Sequence, residues 1–319
     1  MSEKAEQQGP ETWHALVCGL PLAEERFELG SSITLQRLNN PLSVFDFAAV
    51  GAAGFREWAT LEPLAPVATA EIISPASAAT LPGYDALNKC WLTSALLVIR
   101  GFAHHLCPAV SAYSWNCIAG RQLQRSKPLR KQGSEEEAKS VIQNSSDTLP
   151  KFKGGLMDYH LHLLTPRESK DTAFDAIEAE WFRGHLEKFN ALAAADERFR
   201  FALEAAVDWR YAKDARSGIS RPWAGIESIF GISSELVYRI SLLAATIVAP
   251  RGNERVDAFR RTKSLYGIRS KAVHGEPLTN DKLRTGLHES FDLLRFLLLD
   301  AVERGKVRTE DEHLRELLS

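Results

Sequence analysis

The stretch Leu265-Tyr266-Gly267-Ile268-Arg269-Ser270-Lys271-Ala272-Val273-His274-Gly275 decides how the C-terminal half is read. It reads as the end of a helix: Phe259, Tyr266 and Val273 recur one heptad apart, Gly275 can cap, and Pro277 stands just beyond. Arg269 is a permanent cation whose planar fork can hold a phosphate. His274 is the side-chain type best suited to moving protons near neutral pH. Together they are the minimum equipment for metal-free RNA cleavage. On an ideal helix, five residues mean ~140° of rotation and ~7.5 Å of rise, so the pair does not share a face automatically. A loosened last turn, or the reach of the long arginine, is needed to aim both at one phosphate.

Helical texture extends outward on both sides. Upstream, 171–194 and 196–215 carry apolar residues at three- and four-residue spacing. Pro222 suits the first turn of a short helix through Phe230. Ser233 or Ser234 can cap the next one, with Leu236, Val237, Ile240, Leu243, Ala244, Ile247 and Val248 on its apolar face, until Pro250 and Gly252 break it. Downstream, Thr279 or Asn280 caps a long last helix with Leu283, Leu287, Leu294, Leu298 and Ala301 on one stripe, ended by Gly305. The C-terminal half is expected to be an all-α bundle.

The N-terminal half differs. From Thr12 to about Asn40, short alternations such as "SSITLQRL" read as strands, and Gly, Pro and Ala punctuate the chain beyond. Residues 86–107 fit a buried helix or a pair of core strands. Residues 1–11 suit a tail, 121–146 an exposed charged loop, and Met157 to Leu163 a strand closed by Pro166. The fold expected is α+β: a mixed, mostly β domain over 1–165 and a helical domain over 166–319.

The bulk numbers are those of a soluble globular protein, with 45% apolar and 25% charged residues in 319. A formal net charge of −2 supplies no global field for nucleic acid, so any basic footprint must be local. Cys18, Cys90, Cys107 and Cys117 are far apart and read as reduced, buried thiols of a cytosolic protein. The N-terminus is unlike a secretory signal and no apolar run is long enough to cross a membrane, so a cytoplasmic location is expected. No dinucleotide, Walker-type, GxSxG or HExxH motif appears, which argues against the common nucleotide-dependent and hydrolase classes.

The string "LYGIRSKAVHG" resembles the Arg-polar-spacer-His signature of HEPN domains, in the Apea-like branch, with Arg269, Ser270 and His274 on the motif positions. "WAGIESIFGISSELVYRISLLAATIVA" is similar to the two preceding helices, and the likeness covers about residues 150–305. The resemblance implies a metal-independent endoribonuclease without a cofactor, in which the ribose 2′-OH attacks the adjacent phosphorus. His274 would then be general acid or base, Arg269 would stabilise the transition state, and Ser270 would assist by hydrogen bonding. It also implies a homodimer through the helical domain, with the N-terminal half sensing or gating. The setting implied is toxin-like or anti-phage defence, with a defence or antitoxin partner protein. A non-catalytic HEPN module binding RNA or a partner protein is the alternative.

Other candidates surround the pair. Glu227 and Glu235 could be buried acids that orient Arg269 or His274. Between Arg251 and Lys271 a basic footprint contains Arg255, Arg260, Arg261, Lys263 and Lys271, against only Glu254 and Asp257. His104, His105 and Cys107, and separately Asp158, His160 and His162, could chelate but lack familiar spacing, so no metal is expected.

Overall fold

The computed structural model describes residues 12–43, 45–46, 61–75, 88–119, 154–156, 172–232 and 234–318. The boundary expected between 165 and 166 lies outside these residues, as do 1–11, 121–146, the strand expected from Met157, and the Asp158, His160, His162 set. Two compact units result: Met1–Trp91 with His105–Tyr159 and Thr172–Glu180, and Leu92–His104 with His160–Asp171 and Trp181–Ser319. The order is α+β, strands first and helices after.

The first unit is built on an antiparallel sheet of β1 (Thr12–Cys18), β2 (Arg26–Gly30), β3 (Ile33–Arg37), β4 (Ala68–Pro75), β5 (Ala109–Ser111) and β6 (Gly154–Leu156). Its spatial order is β2-β3-β4-β1-β5-β6. The alternation noted around "SITLQR" becomes β3. The β2–β3 turn puts Ser31 and Ser32 at φ +51° and +59°, the doubly left-handed pair of a tight hairpin whose twist matches the strands. Leu16, Leu42, Leu61, Ala109 and Trp115 share one buried cluster, the tryptophan on the short α2 (Trp115–Ile118).

Within the stretch read as a helix or a pair of strands, Asn88–Arg100 form a helix, α1, which starts in the first unit and ends in the second. Leu96 to Ile99 are wholly buried, so no polar face existed to reveal the period. The second unit continues with α3 (Ala176–Ala195) from Trp181 onward, α4 (Glu197–Asp208), α5 (Ala215–Gly218), α6 (Ser220–Phe230), α7 (Leu236–Val248), α8 (Asn253–Val273), α9 (Asn280–Arg304) and α10 (Glu310–Leu318). All five stripe residues read on α9 are buried. Thr279 caps it, accepting from the Lys282 amide at 3.3 Å, and Gly305 ends it at φ +70°. Two glycines let helices approach closely. A Cβ on Gly225 would sit 2.8 Å from Leu294, and one on Gly286 would sit 2.8 Å from Ile268.

Several expectations need correction. The residue flanking α7 is Glu235, in the left-handed region at φ +50°, while the Ser234 hydroxyl accepts from Arg239 instead. The helix read through Phe259, Tyr266 and Val273 is present as α8; Val273 is half exposed, and Thr262, Leu265 and Ala272 face inward. The last helix, α10, was not read from the sequence at all. All four cysteines are free, but only Cys18 and Cys90 are buried, which pushes both thiols up, Cys90 to about 12. Cys117 is exposed. Among the described residues no helix is long and apolar enough to cross a membrane.

Candidate functional site

The site is assembled on the last turns of α8. His274 follows the helix as its cap residue, and its amide donates to the Ser270 carbonyl at 3.0 Å. Gly275 then takes φ +76°, so its amide reaches the Ala272 carbonyl at 3.3 Å and the Glu276 amide reaches Lys271 at 2.9 Å. These paired bonds satisfy carbonyls that a helix end otherwise leaves open, and the left-handed residue is the reason glycine stands there. The last turn is therefore closed, not loosened.

Arg216, on α5, braces it from outside. Its guanidinium donates to the Ala272 carbonyl at 2.9 Å and to the Glu276 carbonyl at 3.1 Å. Cations belong at a helix C-terminus, where the backbone dipole is negative. Arg216 is placed by a capping box, Asp214 accepting from the Ser217 amide at 2.8 Å. Sequence reasoning missed this residue. The D-x-x-S box was legible, but its contact with a helix end nearly sixty residues away was not.

Arg269 points the other way. Counted at ~100° per residue, it lies ~180° from Arg260 and ~140° from His274 around the helix. Its Nη2 stands 3.3 Å from Oε1 of Glu227 on α6, with both side chains about three-quarters buried. The pair is ionic without hydrogen-bond alignment: Nε of Arg269 and Oε1 of Glu227 are buried with no hydrogen-bond partner. Tyr266, one turn back, lies under the guanidinium at 5.4 Å and meets the fully buried Trp223 edge-on at 5.1 Å. Trp223 is anchored by its indole N–H on the Ser290 hydroxyl at 2.9 Å. Positions 223 and 227 of α6 thus meet 266 and 269 of α8, each pair on one helix face. Glu227 stands where a partner for Arg269 was expected.

Glu235 does not join them: its side chain is exposed and pairs with no described residue. Ser270 is half-buried beside the turn. His274 is exposed, and its ring makes no hydrogen bond with a described residue.

The basic footprint divides in two. Arg255 is mostly buried, donating to the Ala249 carbonyl and pairing with Glu316 at 3.4 Å, and Arg261 pairs with Glu289. Arg260 is widely exposed, with only a 3.5 Å contact to Asp257. Lys263 and Lys271 are exposed as well. Around the helix, Arg260, Lys263, Lys271 and the His274 position fall within an arc of ~80°. Arg260, Lys263 and Lys271 share one stripe with the histidine, while Arg261, exposed but held by Glu289, lies off it. Among the described residues no group of three or more potential metal ligands is found.

Comparison with family models, with curated proteins and with solved structures gives no match, so the reading of the site rests on its geometry.

Proposed function

We propose that this chain is a metal-independent endoribonuclease of the HEPN type, with His274 as its proton-transfer group. The observation that carries the reading is the exposed His274 imidazole, without a hydrogen bond to any described residue, on a doubly braced helix end at the head of the Arg260, Lys263, Lys271 stripe. RNA lying along that stripe brings its phosphates to the histidine. The 2′-oxygen bonds to phosphorus, the 5′-oxygen leaves, and the products are a cyclic phosphate and a free 5′-OH. One proton leaves the 2′-OH and another must reach the 5′-oxygen. A single imidazole cannot be base and acid in the same step, so a second copy of the chain supplies the second histidine. Arg269 meets the phosphate by exchanging Glu227 for it, Glu227 holding the fork in place beforehand. A nuclease of this kind suits a toxin or an anti-phage effector held in check by a partner protein in the cytoplasm.

One observation favours a second reading, a non-catalytic module that binds RNA or a partner protein. Arg269 already has its counter-ion and turns away from His274 within one chain. The test separates the two: mixed cellular RNA is incubated with purified protein in EDTA. Cleavage to cyclic-phosphate ends that disappears in His274→Ala supports the nuclease. Binding without cleavage by the unaltered protein supports the module. Activity that survives in His274→Ala but stops on chelation overturns both assignments of the site.

A further inference from the structure

A second chemical constellation lies in the sheet unit, independent of the RNA reading. Thr12 and His14 are i and i+2 on β1 and therefore share a face. The Thr12 hydroxyl is 3.1 Å from Nε2 of His14, and Nδ1 of the same ring is 3.1 Å from Oε2 of Glu71 on β4. Glu71 is wholly buried and receives two more donors, the Ser114 hydroxyl at 2.6 Å and the Trp115 amide at 2.7 Å. A carboxylate that already accepts from Ser114 and Trp115 offers Nδ1 only an acceptor, which assigns the ring proton to Nδ1 of His14. Nε2 then carries the lone pair, and it faces Thr12. The backbone is held too, since the Trp115 indole donates to the His14 carbonyl at 2.9 Å.

We infer that Thr12 is an activated hydroxyl nucleophile, with His14 as its general base and Glu71 as the group that orients the base and stabilises its protonated form. Hydroxyl to imidazole Nε2, and imidazole Nδ1–H to a buried carboxylate, is the order of groups that activates an alcohol toward acyl carbonyls. Ser114 is not the nucleophile, because its own proton is spent on Glu71 and its oxygen caps α2 by accepting from the Asn116 amide. Thr12 is half-buried, so its hydroxyl is open to a small acyl donor, and the class we infer is an ester. In the step, Oγ1 of Thr12 bonds to the acyl carbon while its proton passes to Nε2. The ester's C–O bond breaks, and the leaving alkoxide takes the proton back from His14. Water activated by the same nitrogen then releases the acid and restores Thr12.

The full chain incubated with p-nitrophenyl acetate tests this, following nitrophenolate release and mapping the acetyl group by peptide mass spectrometry. The expected result is acetylation at Thr12, kept in Thr12→Ser, lost in Thr12→Val, and slowed about 10²- to 10⁴-fold in His14→Gln. Thr12→Val exchanges the hydroxyl for a methyl group of similar size, and circular dichroism checks its fold. Should it unfold, acetyl mapping on the unaltered protein and on Thr12→Ser decides. Acetyl groups confined to lysines or the terminal amine, or release unchanged in folded Thr12→Val, overturn the inference.

Discussion

Arg216 donates to the carbonyl of Ala272 at 2.9 Å, tying together residues 56 positions apart and closing the turn that presents His274. Its second bond, to Glu276, spans the glycine of the same turn. Both bonds run from a charged donor to carbonyls at the negative end of α8. Arg216→Ala is expected to cost about 1.5–2 kcal/mol, the lower part of the range for charged hydrogen bonds because the guanidinium is partly solvated. Hydrogen exchange checks it: the amides of His274, Gly275 and Glu276 should lose protection while the middle of α9 keeps its own. Unchanged exchange at those amides would show that the glycine turn stands alone.

The approach of α8 to α9 depends on Gly286. A methyl group there would come within 2.8 Å of Cγ2 of Ile268. Overpacking of about 1–3 kcal/mol outweighs the ~1 kcal/mol that alanine gains over glycine in a helix interior. Gly286→Ala should therefore lower the urea midpoint, with partial recovery in the double variant carrying Ile268→Ala. Gly184 on α3 is the control, because its Cβ would meet nothing within 4 Å. Gly184→Ala should raise the midpoint by the helix term alone.

His313 on α10 makes stability pH-dependent. Burial and the charge of Arg308 hold its pKa at about 4, against 6.5 for an ordinary histidine. Asp300, Glu312 and Glu316 also face it and only partly offset this. The ring is buried beside Phe230 and 2.9 Å from the Thr246 hydroxyl, whose proton goes to the Leu243 carbonyl. Nδ1–H is then the donor to Thr246, and the folded state prefers the neutral ring. The unfolded chain takes up a proton near pH 6.5 and the folded chain only near 4, so stability is full above pH 6.5 and falls as the pH drops to 4. The loss approaches about 3 kcal/mol at ~1.4 kcal/mol per pH unit. Denaturation midpoints across that window should be flatter for His313→Leu; an equal slope would assign the dependence to the carboxylates.

What was legible in the sequence followed period and punctuation. The α9 stripe alternates buried leucines with charged residues, and Thr279 and Gly305 mark its ends, so helix and caps could be read directly. α1 could not, because a helix buried on all sides shows no period. The inward face of α8 was not legible, because its aromatics lie on its flanks: Phe259 packs on Tyr238 and Tyr266 on Trp223, while the small Thr262 and Ala272 fill the inside. Glu227 was identifiable as an acid in an apolar stretch needing a counter-ion. Arg216 was not, since nothing local separates a bracing arginine from a solvated one.

The division of the basic footprint changes which cations should be felt by RNA. Arg255 and Arg261 are held by Glu316 and Glu289, so replacing them removes ion pairs of the fold along with charge. Arg260, Lys263 and Lys271 are exposed and lie on the His274 side of α8. Each neutralised phosphate contributes about 0.7 to the slope of log affinity against log salt for a single strand. Reversing Arg260, Lys263 and Lys271 to glutamate should therefore weaken binding of single-stranded RNA and cut that slope by about 2, with the thermal midpoint nearly unchanged because surface pairs contribute little. Titrating labelled RNA at several salt concentrations gives the slope for both proteins. A slope that survives the triple reversal places the RNA on another face, away from His274, and would remove the stripe from the argument for cleavage.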